Sequence, residues 1–575
     1  MMKSLLAVAG LAIATTAAPS LAQTVELEFL GRYETGAFDE GAAEIVAFDK
    51  RSGLAFVTNA NANTVDALDI GDPSNPVLAF TIDLSPYGAG VNSVAVSNGR
   101  VAVAVEADVK QDNGTIAFFD TDGNFESAVE VGALPDMVTF TPDGRFLLVA
   151  NEGEPNDEYT VDPEGSVSVI RIRPGREVRQ RDVRTADFSR IRPRDLDESV
   201  RIFGPGASIA QDLEPEYIAV SADSRTAYVV CQENNAIVEV NIRAARVSDI
   251  WGLGFKNHGR AANAIDASNR DGAINITTWP VFGIPQPDSI ATYEAGGRTF
   301  IVTANEGDAR DYDGFSEEAR VKDLTLDPDA FPRAAALQLD ENLGRLNITT
   351  TLGDTDGDGD YDRLFSYGAR SFSIYSTDGD LVFDSGSDLE EITAMLLPDD
   401  FNSTNDENGS FDARSDDKGP EPEALTVGTI GDRTYAFVGA ERVGGIFVYD
   451  ITDPRDPAFE SYINTRDFSG DPALGTAGDL APEGLAFISA DDSPTGEALL
   501  LAAHEVSGTT AIFRITGGGC SVFGDVTGDC QVDIHDLLAV LHALGPCGGC
   551  PEDLNDDGRV DLIDVLLVVR AIRDR

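Results

Sequence analysis

Residues 135–172 read PDMVTFTPDGRFLLVANEGEPNDEYTVDPEGSVSVIRI, and three short β-rich runs stand in them: DMVTF, FLLVANE and SVSVIRI. Each run alternates small and large apolar residues at a period of two. Turn formers such as Pro-Asp-Gly separate them. An acid opens the first run (Asp136), and another closes the second (Glu152).

Outward from this unit the same order recurs. First strands begin near EIVAFD, NSVAVS, DMVTF, EYIAVS, DSIATY, EALTV and EGLAF. Second strands are LAFVTNA, VAVAVEA, FLLVANE, AYVVCQE, FIVTANE, YAFVGAE and LLLAAHE. Third strands are TVDALDI, TIAFFDT, SVSVIRI, AIVEVNI, SFSIYST, GIFVYDI and TTAIFRI. Seven regular β units with a fixed polar motif predict an all-β, seven-bladed β-propeller over residues 23–517. An array of β-sandwiches is the structural alternative. The opening run VELEFLG is placed to pair into the last blade and so remove an exposed edge. Two insertions break the repeat, at about 307–369 and 386–419.

The acids of the founding unit recur as well. First strands open with Glu44, Asp136, Glu216, Asp288, Glu423 and Glu483, with Asn92 in the second unit. Second strands end with Glu106, Glu152, Glu233, Glu306, Glu441 and Glu505. In an antiparallel hairpin these two positions share one edge, and the first strand of a propeller blade lines the channel. Both series should therefore converge on one mouth. Crowded carboxylates retain protons or bind cations, and oxygen-only ligands favour calcium or magnesium. The expected metal ligands are Glu152, Glu216, Glu306, Glu423, Glu441, Glu483 and Glu505; the competing reading makes them turn caps. Asn151, Asn305 and His504 precede three of the acids. Arg310, Arg414, Lys418 and Arg442, near the acids or on the insertions, are candidates for holding a phosphate or other substrate group, as are Arg320 and Lys322 more loosely. Pairing with neighbouring acids is the alternative for all of them.

Two further stretches suit calcium. GDTDGDGDYDRLF places Asp354, Asp356, Asp358, Asp360 and Asp362 at alternate positions, although Phe365 stands where an EF-hand would carry its closing acid. At the C-terminus, DLNDDGRVDLID offers Asp553, Asn555, Asp557, Arg559 (through its carbonyl), Asp561 and Asp564. DVTGDCQVDIHD offers Asp525, Thr527, Asp529, Gln531, Asp533 and Asp536. Each loop precedes an apolar helical run. Residues 518–575 therefore read as a small α-helical, EF-hand-like module folded by metal.

Residues 1–22 carry Lys3, an apolar run and a Ser-Leu-Ala cleavage site, which predicts a signal peptide cut before Gln23. No later run is long enough to cross a membrane. Export makes disulfides the leading use of Cys520, Cys530, Cys547 and Cys550, with connectivity open and zinc as the alternative. Cys231 reads as a buried strand residue. The net charge of −57 excludes nucleic acid as a partner.

ANEGEP, TANEGDARDYDGF, DTDGDGDYD, RSDDKGPEPEAL, ERVGGIFVYDITDP and HEVSGTT together resemble the choice-of-anchor I family across nearly the whole propeller region. More distantly the region is similar to atypical calcium-dependent alkaline phosphatases and phytase-like propellers. Residues 520–575 resemble a type I dockerin, although Ile534-His535 and Leu562-Ile563 stand where cohesin-binding dockerins carry small hydroxyl residues. The resemblance implies a secreted or cell-surface propeller, binding several calcium ions, joined to a docking or sorting module with a protein partner. A calcium-dependent phosphoester hydrolase is the enzyme alternative. A component of extracellular polysaccharide degradation is the second alternative.

Overall fold

Alternation decides which way each strand looks. In strand Phe146–Asn151, Leu148 and Ala150 face one neighbouring blade while Leu147 and Val149 face the other. Repeated round the chain, this generates seven separate hydrophobic clusters, one in each gap between adjacent four-stranded antiparallel sheets. The computed structural model of the chain describes residues 24–517, 526, 532, 534–547, 550, 552–555 and 558–573. The expected leader, Asp525, Thr527, Asp529, Gln531, Asp533, Asp557, Cys520 and Cys530 lie outside the described residues.

The innermost strands of blades 1 to 7 are Val46–Asp49, Gly90–Ser97, Pro135–Phe140, Ile218–Val220, Ile290–Ala295, Pro422–Ile430 and Pro482–Ile488, and each touches the next round a closed ring. Closure is made by strand Glu26–Glu34, which pairs antiparallel with Thr509–Thr516 and completes blade 7. Without this N-terminal strand the outer edge of Thr509–Thr516 would be unpaired. The seven-bladed expectation is met.

Long segments separate strands Arg298–Asn305 and Ser371–Ser376 within blade 5, and strands Leu381–Asp384 and Pro422–Ile430; they are called the first and second insertions below. Sequence reading missed a third segment, 253–289, between blades 4 and 5. Its strand Phe282–Ile284 pairs in parallel with Phe365–Tyr367 of the first insertion. Ile265 and Trp279 from this segment pack with Val321, Leu346 and Leu364 as a satellite core. The C-terminal residues from Gly517 form a separate unit with helices Ile534–Ala543 and Leu562–Arg573, a small valine core and a Cys547–Cys550 disulfide.

Close approach fixes the glycine after Glu483. A Cβ on Gly484 would stand 2.2 Å from the Glu44 carbonyl oxygen and 2.9 Å from Ile45 Cα. Backbone on both sides cannot yield, so Gly484→Ala should push blade 7 off blade 1. We expect a loss of about 1–3 kcal/mol, read by denaturant unfolding.

A carboxylate-lined mouth with two unlike halves

A repeated backbone device sets the acids. The residue before the first-strand proline is left-handed in four blades: Leu134, Gln286, Glu421 and Ala481, with φ of 44°, 43°, 52° and 60°. This conformation is costly for residues with a Cβ. Three of these residues accept a hydrogen bond from the second-strand acid of the same blade: Glu152 N–H to Leu134 O (2.9 Å), Glu441 N–H to Glu421 O (2.8 Å) and Glu505 N–H to Ala481 O (2.9 Å). In those blades Pro135, Pro422 and Pro482 pair with Asn151, Ala440 and His504, so the two acid series meet at one edge. Asn151 is held by Ser166 and Ser168, and Asn305 by Ser371 and Ser373. Both amides serve the blades rather than the mouth. His504 is buried, which lowers its pKa.

Acidic triads result whose oxygens lie within 4.8 Å of one another, among them Glu44, Glu483 and Glu505; Glu152, Glu214 and Glu233; Asp288, Glu306 and Glu423; and Glu306, Glu421 and Glu441. Burial is the first cause that raises Glu44, Glu152, Asp288, Glu423 and Glu483, and neighbouring carboxylates add to it. Glu44 rises to about 8 by burial, Glu505 and Asp136. Asp136 rises to about 7 by burial, against the pull of Lys110. Glu152, Glu216, Asp288, Glu423 and Glu483 all lie well above the usual range for the same first cause.

The two halves of the mouth differ in charge. On the blade 6 side, Lys418 Nζ reaches Glu306 (2.6 Å) and Glu421 (3.0 Å), Arg414 reaches Glu421 (2.6 Å) and Asp417 (3.1 Å), and Arg442 reaches Glu421 (3.0 Å) and Glu441 (3.1 Å). Burial opposes ionisation of Glu421, but Lys418, Arg414 and Arg442 together prevail and hold it down to about 2. Arg414 and Arg442 also line a cavity of about 370 Å³ with Asp39, Asn405, Glu441 and Glu505.

On the side of blades 3 to 5, a cavity of about 280 Å³ is lined by Asp136, Glu152, Glu216, Glu233, Asp288 and Asp308, with Tyr312 at its rim. Buried oxygens Glu214 Oε1, Glu216 Oε2 and Glu233 Oε2 have no hydrogen-bond partner there. Arg310 does not face this cavity as a free cation. It is fully buried, paired with Asp212 and with Glu214 Oε2 (2.8 Å), and stacked 4.5 Å over Phe203. That placement leaves it no free edge for a phosphate. Arg320 is bound to Asp416 and to the Arg345 carbonyl, and Lys322 pairs with Asp340 near the surface.

Sequence reading missed Glu214 and Glu421. The signal was present: Glu214-Pro215-Glu216 and Glu421-Pro422-Glu423 share one pattern, but only the second acid opens the strand.

In the acidic loop of the first insertion, Asp354 accepts from Gly357 and Gly359, and Asp362 accepts from Thr355. Asp356 and Asp358 cap the N–H groups two residues on. Asp360 and Asp362 group instead with Asp327, which the spacing did not single out. In the C-terminal unit, Asp536 accepts from Val526 N–H and Asp564 from Leu554 N–H, both at 2.9 Å and both across ten residues. Asp553 accepts from Gly558, and Asp561 N–H donates to Asp564. Asn555 and Arg559 are exposed in the same loop.

The family profile described as the Choice-of-anchor I domain matches residues 44–454. Gigasin-3a of Magallana gigas is 35% identical over 198 residues, 32% of this chain and 68% of that protein. A mesenchyme-specific cell surface glycoprotein of Strongylocentrotus purpuratus is 29% identical over 291 residues, 44% of this chain and 37% of that protein. Among solved structures, Kuenenia stuttgartiensis hydrazine synthase aligns with a TM-score of 0.42 at 12% identity, covering 83% of this chain and 96% of that one. The Myceliophteria thermophila Cps50 (Swd1) β-propeller domain aligns at 0.41 and 9%, covering 85% and 100%.

Proposed function

The chain belongs to the choice-of-anchor I family, and from that premise we propose that it is an exported, surface-associated propeller whose mouth binds calcium. The carrying observation is the set of orphaned buried oxygens of Glu214, Glu216 and Glu233 beside Glu152. A buried carboxylate oxygen without a donor is costly, and a hard divalent cation satisfies several at once. Glu306, Glu421 and Glu441 do not need one, because Lys418, Arg414 and Arg442 already offset them. The ion therefore belongs to blades 3 to 5, with Glu44, Glu483 and Glu505 as a second position. Surface placement is supported by the expected leader and by the name of the sea-urchin relative. Among the described residues, no helix is long and apolar enough to cross a membrane.

The test is calcium content of the full chain after chelation and reloading. Glu216→Gln with Glu233→Gln should remove one ion per chain while the fold persists by circular dichroism. An unchanged count would reject this site.

In the C-terminal unit, equivalent aspartates (Asp536 and Asp564) each tie a loop to the start of a helix. This supports a calcium-folded, dockerin-like module that engages a protein partner. A calcium-dependent phosphoester hydrolase is the second reading, favoured by Arg414 and Arg442 lining a cavity beside Glu441 and Glu505. It requires aryl phosphate hydrolysis that disappears on chelation and in Arg442→Met.

A further inference from the structure

A second nest of oxygens lies outside the mouth residues, where segment 253–289 meets the second insertion. Glu390, on helix Asp388–Leu396, accepts from the Asp266 backbone N–H (3.3 Å), from Arg370 (2.7 Å) and from Asn402 Nδ2 (2.9 Å). Asn402 Nδ2 also donates to Ser415 Oγ (2.9 Å), and Ser415 Oγ donates to Asp412 Oδ1 (2.5 Å). One hydroxyl thus holds the Asn402 amide and the Asp412 carboxylate side by side. Asp266, Glu390, Asn402 and Asp412 are 1%, 1%, 0% and 2% exposed.

Two acceptors of the nest have no partner: Asn402 Oδ1 and Asp412 Oδ2. Arg370 offsets Glu390; Asp266 accepts from the Ser268 and Asn275 N–H groups, and Asp412 keeps Oδ2 unpartnered, both acids without a paired cation among the described residues. Asp266 and Asp271 also face Asp412 closely enough to add to the effect of burial on its carboxyl. Each such orphan costs free energy in a dry interior.

We propose that Asn402 and Asp412, with Asp266 beside them, hold a divalent cation of the calcium class, which clips the second insertion to segment 253–289. Mixed carboxylate and amide oxygens, with no nitrogen or sulfur donor among them, suit calcium above zinc or copper. This site does not rest on the reading of the mouth. The rival is a proton shared between Asp412 Oδ2 and Asn402 Oδ1.

Asp412→Asn separates the two, because an amide mimics the protonated acid and can donate to Asn402. Calcium bound per chain is measured at pH 8 on the full-length protein, with limited proteolysis of residues 400–414 in calcium and in chelator. The cation predicts one ion fewer in Asp412→Asn and loss of a roughly tenfold calcium protection. It also predicts that Glu216→Gln with Glu233→Gln keeps this ion. An unchanged ion count and unchanged protection in Asp412→Asn would overturn the site. Should the variant misfold, anomalous scattering from terbium-loaded wild-type crystals decides: a peak among Asp266, Asn402 and Asp412 supports the cation, and peaks only elsewhere overturn it.

Discussion

Stripped of calcium, the propeller should lose stability steadily between pH 5 and 9, while the calcium-loaded protein stays level. Glu44 is raised to about 8, and Asp136 and Asp308 to about 7, burial being the first cause each time. A raised carboxyl binds its proton more tightly folded than unfolded. The stability it lends is therefore complete below the unfolded values of about 4, and is lost as pH climbs through 7 to 8. Holding a proton tenfold more tightly is worth about 1.4 kcal/mol, so several such groups amount to several kcal/mol. Calcium displaces those protons, and its stabilisation should grow with pH. Thermal midpoints with and without chelator across this range are the measurement. Salt at about 0.5 M removes the contribution of exposed charge and should leave the difference. Parallel curves would reject a metal at the mouth.

Arg310→Met should cost about 3–5 kcal/mol, because it leaves Asp212 and Glu214 buried without their cation. Arg310→Lys should recover little. A single ammonium cannot address two carboxylates and also lie flat on Phe203, which Arg201 also stacks on at 4.1 Å. Adding Asp212→Asn and Glu214→Gln to Arg310→Met should restore most of the loss, since the uncompensated charge is gone. Chemical denaturation of the three proteins provides the comparison. A single variant as stable as wild type would show that these acids are protonated without Arg310.

The calcium site proposed at the mouth depends on which acids remain unpaired, and that differs between blades built on the same repeat. Glu152 and Glu441 occupy the same place in blades 3 and 6, each donating its N–H to the residue before proline. Among the described residues only Glu441 of the two meets a guanidinium, that of Arg442 next to it in the chain, while the second insertion folds back and delivers Arg414 and Lys418 to Glu421. Segment 253–289 was not legible because it carries no copy of the repeat. Its apolar residues are buried by a different insertion, not by their sequence neighbours.

The seven blades, the closing strand and the mouth at which the acids gather were all legible in the order of residues. Period-two alternation and antiparallel hairpins are local rules, and repetition multiplies them. Which carboxylates have cations, that Arg310 is enclosed, and that Asp266 and Asp412 come together from distant loops emerged from the folded chain alone. Charge pairing depends on distance through space, and chain order does not encode the distance between two insertions.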